Sequence, residues 1–229
     1  MTALTYSVIF ENNDFVVIDK AENCNFHDED NPGQGVFNQV KAQQQYDELF
    51  PVHRLDKMTS GLLLFAKNKL TARALGKMFE QHLIDKFYLA ISKDKPKKKQ
   101  GWIKGDMVKS RRSSWRLART SNNPAITQFF SYSLAQGLRL FVLRPRTGKT
   151  HQLRVALNSI GSAIAGDAIY NPADMSDRGY LHAYALKFEL NGEQYQFSQL
   201  PSSGEFFTDA NCISALAQLP QPWRLNWPK

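Results

Sequence analysis

A chain of 229 residues, 42% of them apolar, can bury a sizeable core, which excludes a disordered or fibrous protein. The two cysteines, Cys24 and Cys212, have neither CxxC nor CxxH spacing, so the sequence offers no disulfide framework or structural zinc site and suits a reducing cytoplasm. The formal net charge is +8, no apolar run is long enough to cross a bilayer, and no cleavable leader is recognisable. We therefore expect a soluble, cytoplasmic protein with no membrane partner.

The first part of the chain contains short apolar runs and one longer amphipathic stretch. SVIF (7–10) and DFVVIDK (14–20) are rich in Val and Ile and predict an opening β-hairpin. Helical spacing of apolar residues predicts a helix over 37–50. GLLLFAK (61–67) is short and almost wholly apolar, which predicts a buried strand.

A second helix is predicted directly after this strand. Asn68 is a favourable N-cap, because its side-chain oxygen can accept a backbone N–H group of the first helical turn. The apolar residues expected on the core-facing side of this helix are Leu70, Ala74, Leu75, Met78, Phe79 and Leu83. KFYLAIS (86–92) then predicts another strand.

The excess of positive charge is confined to residues 93–119, which we call the basic segment. It holds eleven Lys or Arg residues and two Asp, a net charge of +9, so the rest of the chain carries a net charge of −1. A concentrated basic segment that contains Trp102 and Trp115 favours contact with nucleic acid. A solvated loop that aids solubility is the alternative for KPKKK (95–99). Four arginines that follow favour RNA: Arg111, Arg112, Arg116 and Arg119.

Strands dominate the remainder of the chain. Two hairpins are predicted, AITQFFSYSL (125–134) with LRLFVLRP (138–145) through Gln136-Gly137, and LHAYALKFEL (181–190) with EQYQFS (193–198) through Asn191-Gly192. Because strands pair mainly as hairpins without regular βαβ alternation, we expect an α+β fold with a mixed, mainly antiparallel central sheet and flanking helices. No internal repeat is present, and we expect residues 1–229 to form a single domain.

Residues 144–172 form a second distinctive stretch. Thr150 is expected to cap a helix that ends at Gly161, with His151, Arg154 and Asn158 on its outer face. The core-facing residues of this helix are expected to be Leu153, Ala156, Leu157 and Ile160.

RTGKT, at the start of this stretch, resembles the end of a phosphate-binding P-loop. The comparison fails because the position five residues before Gly148 is Leu143 rather than glycine, so ATP hydrolysis is not supported. What remains is a basic turn before a helix N-terminus, which suits a backbone phosphate of a nucleic acid.

The sequence contains no motif typical of a metal site or of a serine or cysteine nucleophile. No pair among the histidines has HxxxH or HxxEH spacing, and there is no GxSxG motif or cysteine with an activating neighbourhood. We expect neither a metal nor a cofactor.

Three blocks read together, in this order, resemble the RluA-type pseudouridine synthases: HRLDKMTSGLLLFAK (53–67), KFYLAI (86–91) and RTGKTHQLRVALNSIGSAIAGDAIYN (146–171). The resemblance extends from about Val8 to Phe188. It implies a fold with a central RNA-binding cleft and an enzyme that converts uridine to pseudouridine in structured ribosomal or transfer RNA without a cofactor. We expect a monomer consisting of the catalytic domain alone, without the S4-like N-terminal domain that many relatives carry.

The resemblance also implies roles for individual residues. Asp56 matches the catalytic aspartate, and Arg54 matches an arginine that enters the RNA helix where the target nucleotide leaves. Tyr88 matches the tyrosine that packs on the flipped uracil, Leu153 an apolar residue beside the base, and Arg154 the arginine that pairs with the catalytic carboxylate. In an extended segment residues two apart point the same way, so Arg54 and Asp56 are expected to face the cleft together.

The chain departs from the family pattern in three places. Lys149 stands where arginine is usual, Ala156 stands where histidine is common, and IDKAENCNFHDED (18–30) replaces a lysine-proline-glycine stretch. The first two departures bear on backbone or RNA contacts, and the third on the first loop near the cleft.

Two alternatives of other classes stay open. A non-catalytic RNA-binding or RNA-folding protein would keep the basic segment without needing the aspartate of HRLD. A glycosidic hydrolase would usually need a second catalytic carboxylate, for which Asp167 is the candidate, although its glycine-rich turn favours a structural role.

Overall fold

The computed structural model describes residues 5–28, 32–111 and 113–229, apart from the side chain of Gln136. Arg112 of the basic segment and the end of the 18–30 stretch therefore lie outside the described residues. Internal contacts divide the chain into two compact units. Unit 1 comprises Met1–Asp85 and Ala183–Leu200, and unit 2 comprises Lys86–His182 and Pro201–Lys229. The predicted single domain stays a prediction.

The described residues form strands and four α-helices. In chain order they are β1 (Tyr6–Glu11), β2 (Phe15–Lys20), α1 (Val36–Gln43), β3 (Phe50–Pro51), β4 (Ser60–Ala66), α2 (Lys69–Glu80), β5 (Asp85–Ser92), β6 (Gln100–Lys109), β7 (Trp115–Leu117), β8 (Pro124–Ser133), β9 (Arg139–Pro145), α3 (Gln152–Ser159), β10 (Leu181–Leu190), β11 (Glu193–Ser198) and α4 (Ala210–Gln218). Short 3-10 helices occupy Ala135–Gly137 and Pro222–Arg224.

Unit 1 is built on a sheet with the strand order β1, β2, β4, β10, β11, and β3 pairs with the end of β4. The pairs β1–β2, β2–β4, β3–β4 and β10–β11 are antiparallel. Every residue of β4 is buried, as its apolar run predicts. Its side chains Leu62 and Leu64 share a core with Phe15, Leu75 and Phe188.

Local signals predicted most of unit 1 correctly. The side chain of Asn68 accepts the N–H of Thr71 at 2.8 Å and caps α2, as expected. The turn between β10 and β11 has Asn191 and Gly192 at φ +53° and +81°, as a two-residue hairpin turn requires. Two expected core residues are wrong: Leu70 and Leu83 are exposed.

The predicted helix over 37–50 is too long. Helix α1 ends at Gln43, because Gln45 adopts a left-handed conformation with φ +54° that a right-handed helix cannot contain. Phe50 instead pairs with Ala66 and starts β3. The predictions for Leu70 and Leu83 are wrong for two reasons. The buried face of α2 contains Thr71 and Leu75, so Leu70 points away from it, and Leu83 lies beyond the end of the helix.

Unit 2 contains a sheet in the order β5, β9, β8, β6, β7, and each of these four pairings is antiparallel. Residues 95–99 have no regular secondary structure, in agreement with the loop alternative for KPKKK, whereas the basic segment from Gln100 onward is mainly strand: β6 pairs with β8 along its length and turns back into β7. Helix α4 was not predicted. It buries Cys212, and this burial raises the pKa of the thiol to about 11. No helix among the described residues is long and apolar enough to cross a membrane.

The TSG residues (59–61) at the start of β4 depend on their glycine. Gly61 has φ +107°, and a Cβ added there would lie 2.3 Å from the carbonyl oxygen of Ala183. Gly61→Ala is therefore expected to lower the free energy of unfolding by about 2 kcal/mol or more, measured by urea denaturation. Gly76→Ala is the matched control, because nothing lies within 4 Å of its added Cβ inside α2.

The control is expected to raise the free energy of unfolding by about 0.5–1 kcal/mol, since alanine favours a helix over glycine. Equal effects of the two substitutions would contradict this account of the turn.

Candidate active site

Asp56 lies in the loop between β3 and β4, in unit 1. Leu55 is buried, whereas Arg54 on one side of it is exposed and Asp56 on the other is half-buried. This alternation is what an extended segment produces, and it agrees with the expectation that Arg54 and Asp56 face the same way. The backbone carbonyl of Asp56 accepts the N–H of Thr59 at 3.0 Å, which starts the turn into β4.

A buried lysine holds this turn. The side chain of Lys20, at the end of β2, is fully buried, and its Nζ donates to the carbonyl oxygens of Ala21, Cys24 and Lys57 at 2.8, 3.0 and 3.3 Å. A buried ammonium is tolerated because these carbonyls replace its water. The contact with Lys57 fixes the residue next to Asp56. Sequence analysis missed this role, although a lysine closing the apolar run FVVIDK was a signal.

His53 packs as a structural residue. Its Nε2 accepts the N–H of Leu64 at 3.0 Å, which requires the proton of a neutral ring to sit on Nδ1. The imidazole also stacks on Phe79 with ring centroids 4.5 Å apart. Among the described residues no group of three or more His, Cys, Asp or Glu side chains is arranged to hold a metal ion.

In unit 2, Arg154 and Asp167 form a buried ion pair. Nε and Nη2 of Arg154 donate to the two carboxylate oxygens of Asp167, each at 2.7 Å, and the two side chains are 6% and 0% exposed. The prediction that Arg154 lies on the outer face of its helix is therefore wrong. The cause is the acidic partner Asp167, thirteen residues after Arg154 in the chain, which helical periodicity does not reveal.

Asp167 is fully engaged by structural contacts. Besides Arg154, its Oδ1 accepts the N–H groups of Ile169 and Tyr170 at 2.9 and 3.1 Å. A second catalytic carboxylate would need an oxygen directed at substrate. The geometry therefore supports the structural role of Asp167 and weakens the interpretation as a glycosidic hydrolase.

Tyr170 links this ion pair to the basic segment. Its ring lies 5.1 Å from the guanidinium of Arg154, and its hydroxyl accepts the backbone N–H of Trp115 in β7 at 2.9 Å. The same hydroxyl lies 3.0 Å from Nδ1 of His151. Sequence analysis gave Tyr170 no role, because the contact depends on β7, which was not predicted as a strand.

The start of α3 differs from the expectation. The N-cap is His151, in a left-handed conformation with φ +56°, rather than Thr150. The RTGKT turn is fixed by the buried amide of Gln152, whose Oε1 accepts from the Thr147 hydroxyl at 2.7 Å and from the N–H of Lys149 at 3.0 Å. The end of α3 is as predicted, since Gly161 has φ +72° and donates its N–H to Asn158.

The sequence profile described as RNA pseudouridylate synthase matches residues 14–159, well over half of the chain. The chain belongs to this family. An uncharacterized RNA pseudouridine synthase of Haemophilus influenzae is 47% identical over 201 residues, which are 87% of this chain and 89% of that protein. The dual-specificity RNA pseudouridine synthase RluA of Vibrio vulnificus is 33% identical over 180 residues, 74% of this chain and 72% of that protein.

A solved structure supports the fold of this pseudouridine synthase. The human RNA pseudouridylate synthase domain containing 1 superposes with a TM-score of 0.73 at 22% identity, covering 95% of this chain and 96% of that one. The predicted RluA-type family and α+β fold with a mainly antiparallel sheet are thus confirmed, and the enzyme is an RNA pseudouridine synthase. The predicted central RNA-binding cleft stays a prediction.

The predicted site residues of the synthase fall in two groups. Arg54 and Asp56 lie together in unit 1. Tyr88, Leu153 and Arg154 lie in unit 2: Tyr88 is half-buried in β5 opposite Leu143, and Leu153 is buried directly before Arg154 in α3. Lys86 lies two residues before Tyr88, and burial lowers the pKa of its ammonium group. The individual roles of these residues stay predictions.

Proposed function

We propose that this RNA pseudouridine synthase uses Asp56 as its catalytic residue. The observation that carries the proposal is a half-buried carboxylate on a turn that the buried ammonium of Lys20 fixes, inside a block that the family profile matches. The reaction breaks the N1–C1′ bond and joins C5 to C1′. C5 loses a proton and N1 gains one, so atoms and electrons balance without an oxidant.

An ionised carboxylate can take part in this exchange by three routes. It can attack C1′ as a nucleophile, remove a proton from C2′ to give a glycal-like intermediate, or attack C6 of the base. All three require Asp56 to reach a uridine that has left the RNA stack. Flipping costs a few kcal/mol, which stacking on an aromatic ring and contacts to phosphates offset.

Four further residues belong to the proposal through the family resemblance. Arg54 supports the RNA where the uridine leaves, and its exposure suits contact with a large polyanion. Tyr88 packs on the uracil, with Leu153 beside it. Arg154 is the basic partner of the catalytic carboxylate by the resemblance alone, and its bidentate contact with Asp167 holds the guanidinium in one orientation.

We further propose a uridine in structured ribosomal or transfer RNA as the target, and a monomer in the cytoplasm as the active form. The support is the family resemblance, together with the relative that is named dual-specificity. The test is carbodiimide-based pseudouridine mapping of total RNA from cells that lack the gene and from cells restored with wild type or Asp56→Asn.

One site lost on deletion and recovered only with wild type is the expected result, and it identifies the RNA. Loss of no site, with full coverage of ribosomal and transfer RNA, would overturn the proposed target and favour a non-catalytic RNA-binding role. Recovery with Asp56→Asn would overturn the proposed catalytic residue alone.

The basic segment is expected to supply much of the electrostatic affinity for RNA. Lys97, Lys98 and Lys99 are exposed directly before β6. Replacing all three with glutamine is expected to weaken RNA binding and to lower the slope of log affinity against log salt by up to about two units. The control replaces three exposed lysines elsewhere, Lys41, Lys77 and Lys229, and so changes the net charge equally.

Fluorescence anisotropy with a labelled RNA hairpin, at several salt concentrations, measures both slopes. If both triple variants have the same slope, the three lysines of the basic segment contribute to RNA affinity only through the net charge of the protein, and the proposed local contact with RNA is wrong.

A further inference from the structure

Unit 2 contains a cleft of about 440 Å³ that none of the predicted site residues lines. Its lining includes Met107 and Trp115 from the β6–β7 hairpin, Asn122 from the loop before β8, and Gly148 and Lys149 from the RTGKT turn. A cleft of this size accommodates a nucleobase with its sugar. Part of its lining is aromatic or apolar and part is polar, so a ligand must offer both an apolar surface and polar groups.

One wall is aromatic and apolar. The indole of Trp115 is half-buried, and within the described residues its ring N–H makes no hydrogen bond. Met107 adds an apolar side chain to the same lining. The backbone N–H of Trp115 donates to the Tyr170 hydroxyl, which anchors the main chain of this residue at the cleft. A partly exposed indole is suited to stack on a planar ring.

A second part of the wall is polar. In the part of the chain that the structure describes, the side-chain amide of Asn122 makes no hydrogen bond, and Nζ of Lys149 bonds only to Oδ1 of Asn123, at 2.8 Å. This wall therefore offers an ammonium group for an anion and an amide that both donates and accepts. Such groups bind phosphate oxygens and the edges of bases.

The acidic residue of the cleft serves the loop rather than the ligand. The Asp106 carboxylate accepts the backbone N–H groups of Asn122 and Asn123 at 3.0 and 2.8 Å. A hydrogen bond from Thr120, these two N–H groups and the charge of Lys149 lower the pKa of Asp106. The negative charge of Asp106 is therefore stabilised by hydrogen bonds within the 120–123 loop. The same bonds hold the loop so that Asn122 lines the cleft.

The surroundings of the cleft favour a polyanion. Lys109, opposite Trp115 in the hairpin, is exposed and places its ammonium 5.9 Å from the indole centroid. Arg111 and Arg116 are also exposed. A cationic ligand would be repelled by this charge, whereas a nucleotide in an RNA strand offers a base to the aromatic wall and phosphates to the polar wall and the basic rim.

We propose that this cleft binds one nucleotide of the substrate RNA other than the uridine that is isomerised. Its base stacks on Trp115, its edge is read by the amide of Asn122, and an adjacent phosphate contacts Lys149. The inference rests on the proposed function because it takes the RNA substrate as ligand. Tyr170 connects this subsite to Arg154, since it bonds to Trp115 through its hydroxyl and packs on the guanidinium through its ring.

The test is Trp115→Ala, measured with the RNA that pseudouridine mapping identifies. We expect KM to rise about tenfold and kcat to change by less than about twofold, since stacking on a base contributes to binding rather than to the bond exchange. Trp115→Phe retains a stacking ring and is expected to restore most of the affinity. Trp223→Ala is the matched control, because Trp223 is a half-buried tryptophan of the same unit that lies outside the basic segment and does not line the cleft.

The nucleotide that occupies the cleft can be located by measuring the binding of RNA substrates in which one nucleotide near the target uridine is abasic. At one position, loss of the base should weaken binding to wild type about tenfold and binding to Trp115→Ala hardly at all. Additive losses at every position would overturn the subsite. So would a fall of kcat alone, or an equal rise of KM in Trp115→Phe, which would mark Trp115 as a structural residue.

A binding measurement separates this inference from the proposed function. The dissociation constant of a fluorescein-labelled RNA hairpin can be measured for wild type, Trp115→Ala and Trp223→Ala without turnover. If only Trp115→Ala binds more weakly and the wild-type protein forms no pseudouridine, the proposed catalysis is wrong but the subsite is supported. If Trp115→Ala binds as tightly as wild type and isomerisation is normal, the subsite is wrong but the proposed catalysis stands.

Discussion

Replacing Asp56 with asparagine is expected to abolish isomerisation while leaving RNA binding intact. Asparagine keeps the size and hydrogen-bonding shape of the side chain, but it lacks the charge needed to attack carbon or to remove a proton. The rate of pseudouridine formation in single turnover should fall by about 10³-fold or more. The turn itself should survive, because the bonds that Lys20 and the N–H of Thr59 make to backbone carbonyls of this turn are left in place by the substitution.

Single-turnover assays with the mapped RNA, combined with anisotropy, measure both parts of this prediction. Asp47→Asn is the matched control, since Asp47 is an exposed aspartate of the same unit outside the matched HRLD block. If Asp56→Asn retains more than about a tenth of the wild-type rate, another group performs the chemistry. If it loses RNA binding as well, Asp56 has a role in the RNA interface that the proposal does not include.

The elements that the sequence predicted correctly are those whose signals are local. The strand at 61–67 follows from its unbroken apolar run, and the cap of α2 follows from one asparagine, Asn68. The turn at Asn191-Gly192 needs only residues that accept a positive φ. The HRLD block matches the family pattern for the same reason, because HRLD and the TSG residues are adjacent in the chain.

The features that the sequence did not predict depend on partners distant in the chain. The basic segment forms β6 because β8 supplies its hydrogen bonds, and charge patterning carries no information on such pairing. Arg154 is buried because Asp167 neutralises it, although helical phase alone indicates an exposed position. Lys20 is buried because carbonyl groups of two separate loops surround it. Each of these requires the fold before the interaction can be seen.

The ion pair between Arg154 and Asp167 is expected to stabilise unit 2 strongly once both groups are buried. Asp167→Asn keeps an oxygen for the N–H groups of Ile169 and Tyr170 but deprives the buried guanidinium of its carboxylate. We expect the free energy of unfolding to fall by about 3–5 kcal/mol, measured by urea denaturation. Pseudouridine formation should fall as well, because Arg154 would lose its fixed orientation.

A surface ion pair provides the control for this change. Glu11 and Lys67 form a pair whose side chains are 36% and 20% exposed. Glu11→Gln makes the same replacement of carboxylate by amide, yet solvent screens the remaining charge. Its effect on the free energy of unfolding is expected to stay within about 1 kcal/mol. A similar small effect of Asp167→Asn would show that the buried pair does not hold the fold.

Removing both charges separates the structural role of Arg154 from its proposed part in the reaction. In Arg154→Gln combined with Asp167→Asn no buried charge is left unpaired, so the double variant is expected to regain much of the stability that Asp167→Asn loses. Pseudouridine formation should nevertheless stay low, because the guanidinium proposed to accompany the catalytic carboxylate is absent. A double variant that regains both stability and activity would reduce Arg154 to a structural residue, and the basic partner of Asp56 would then have to be sought elsewhere.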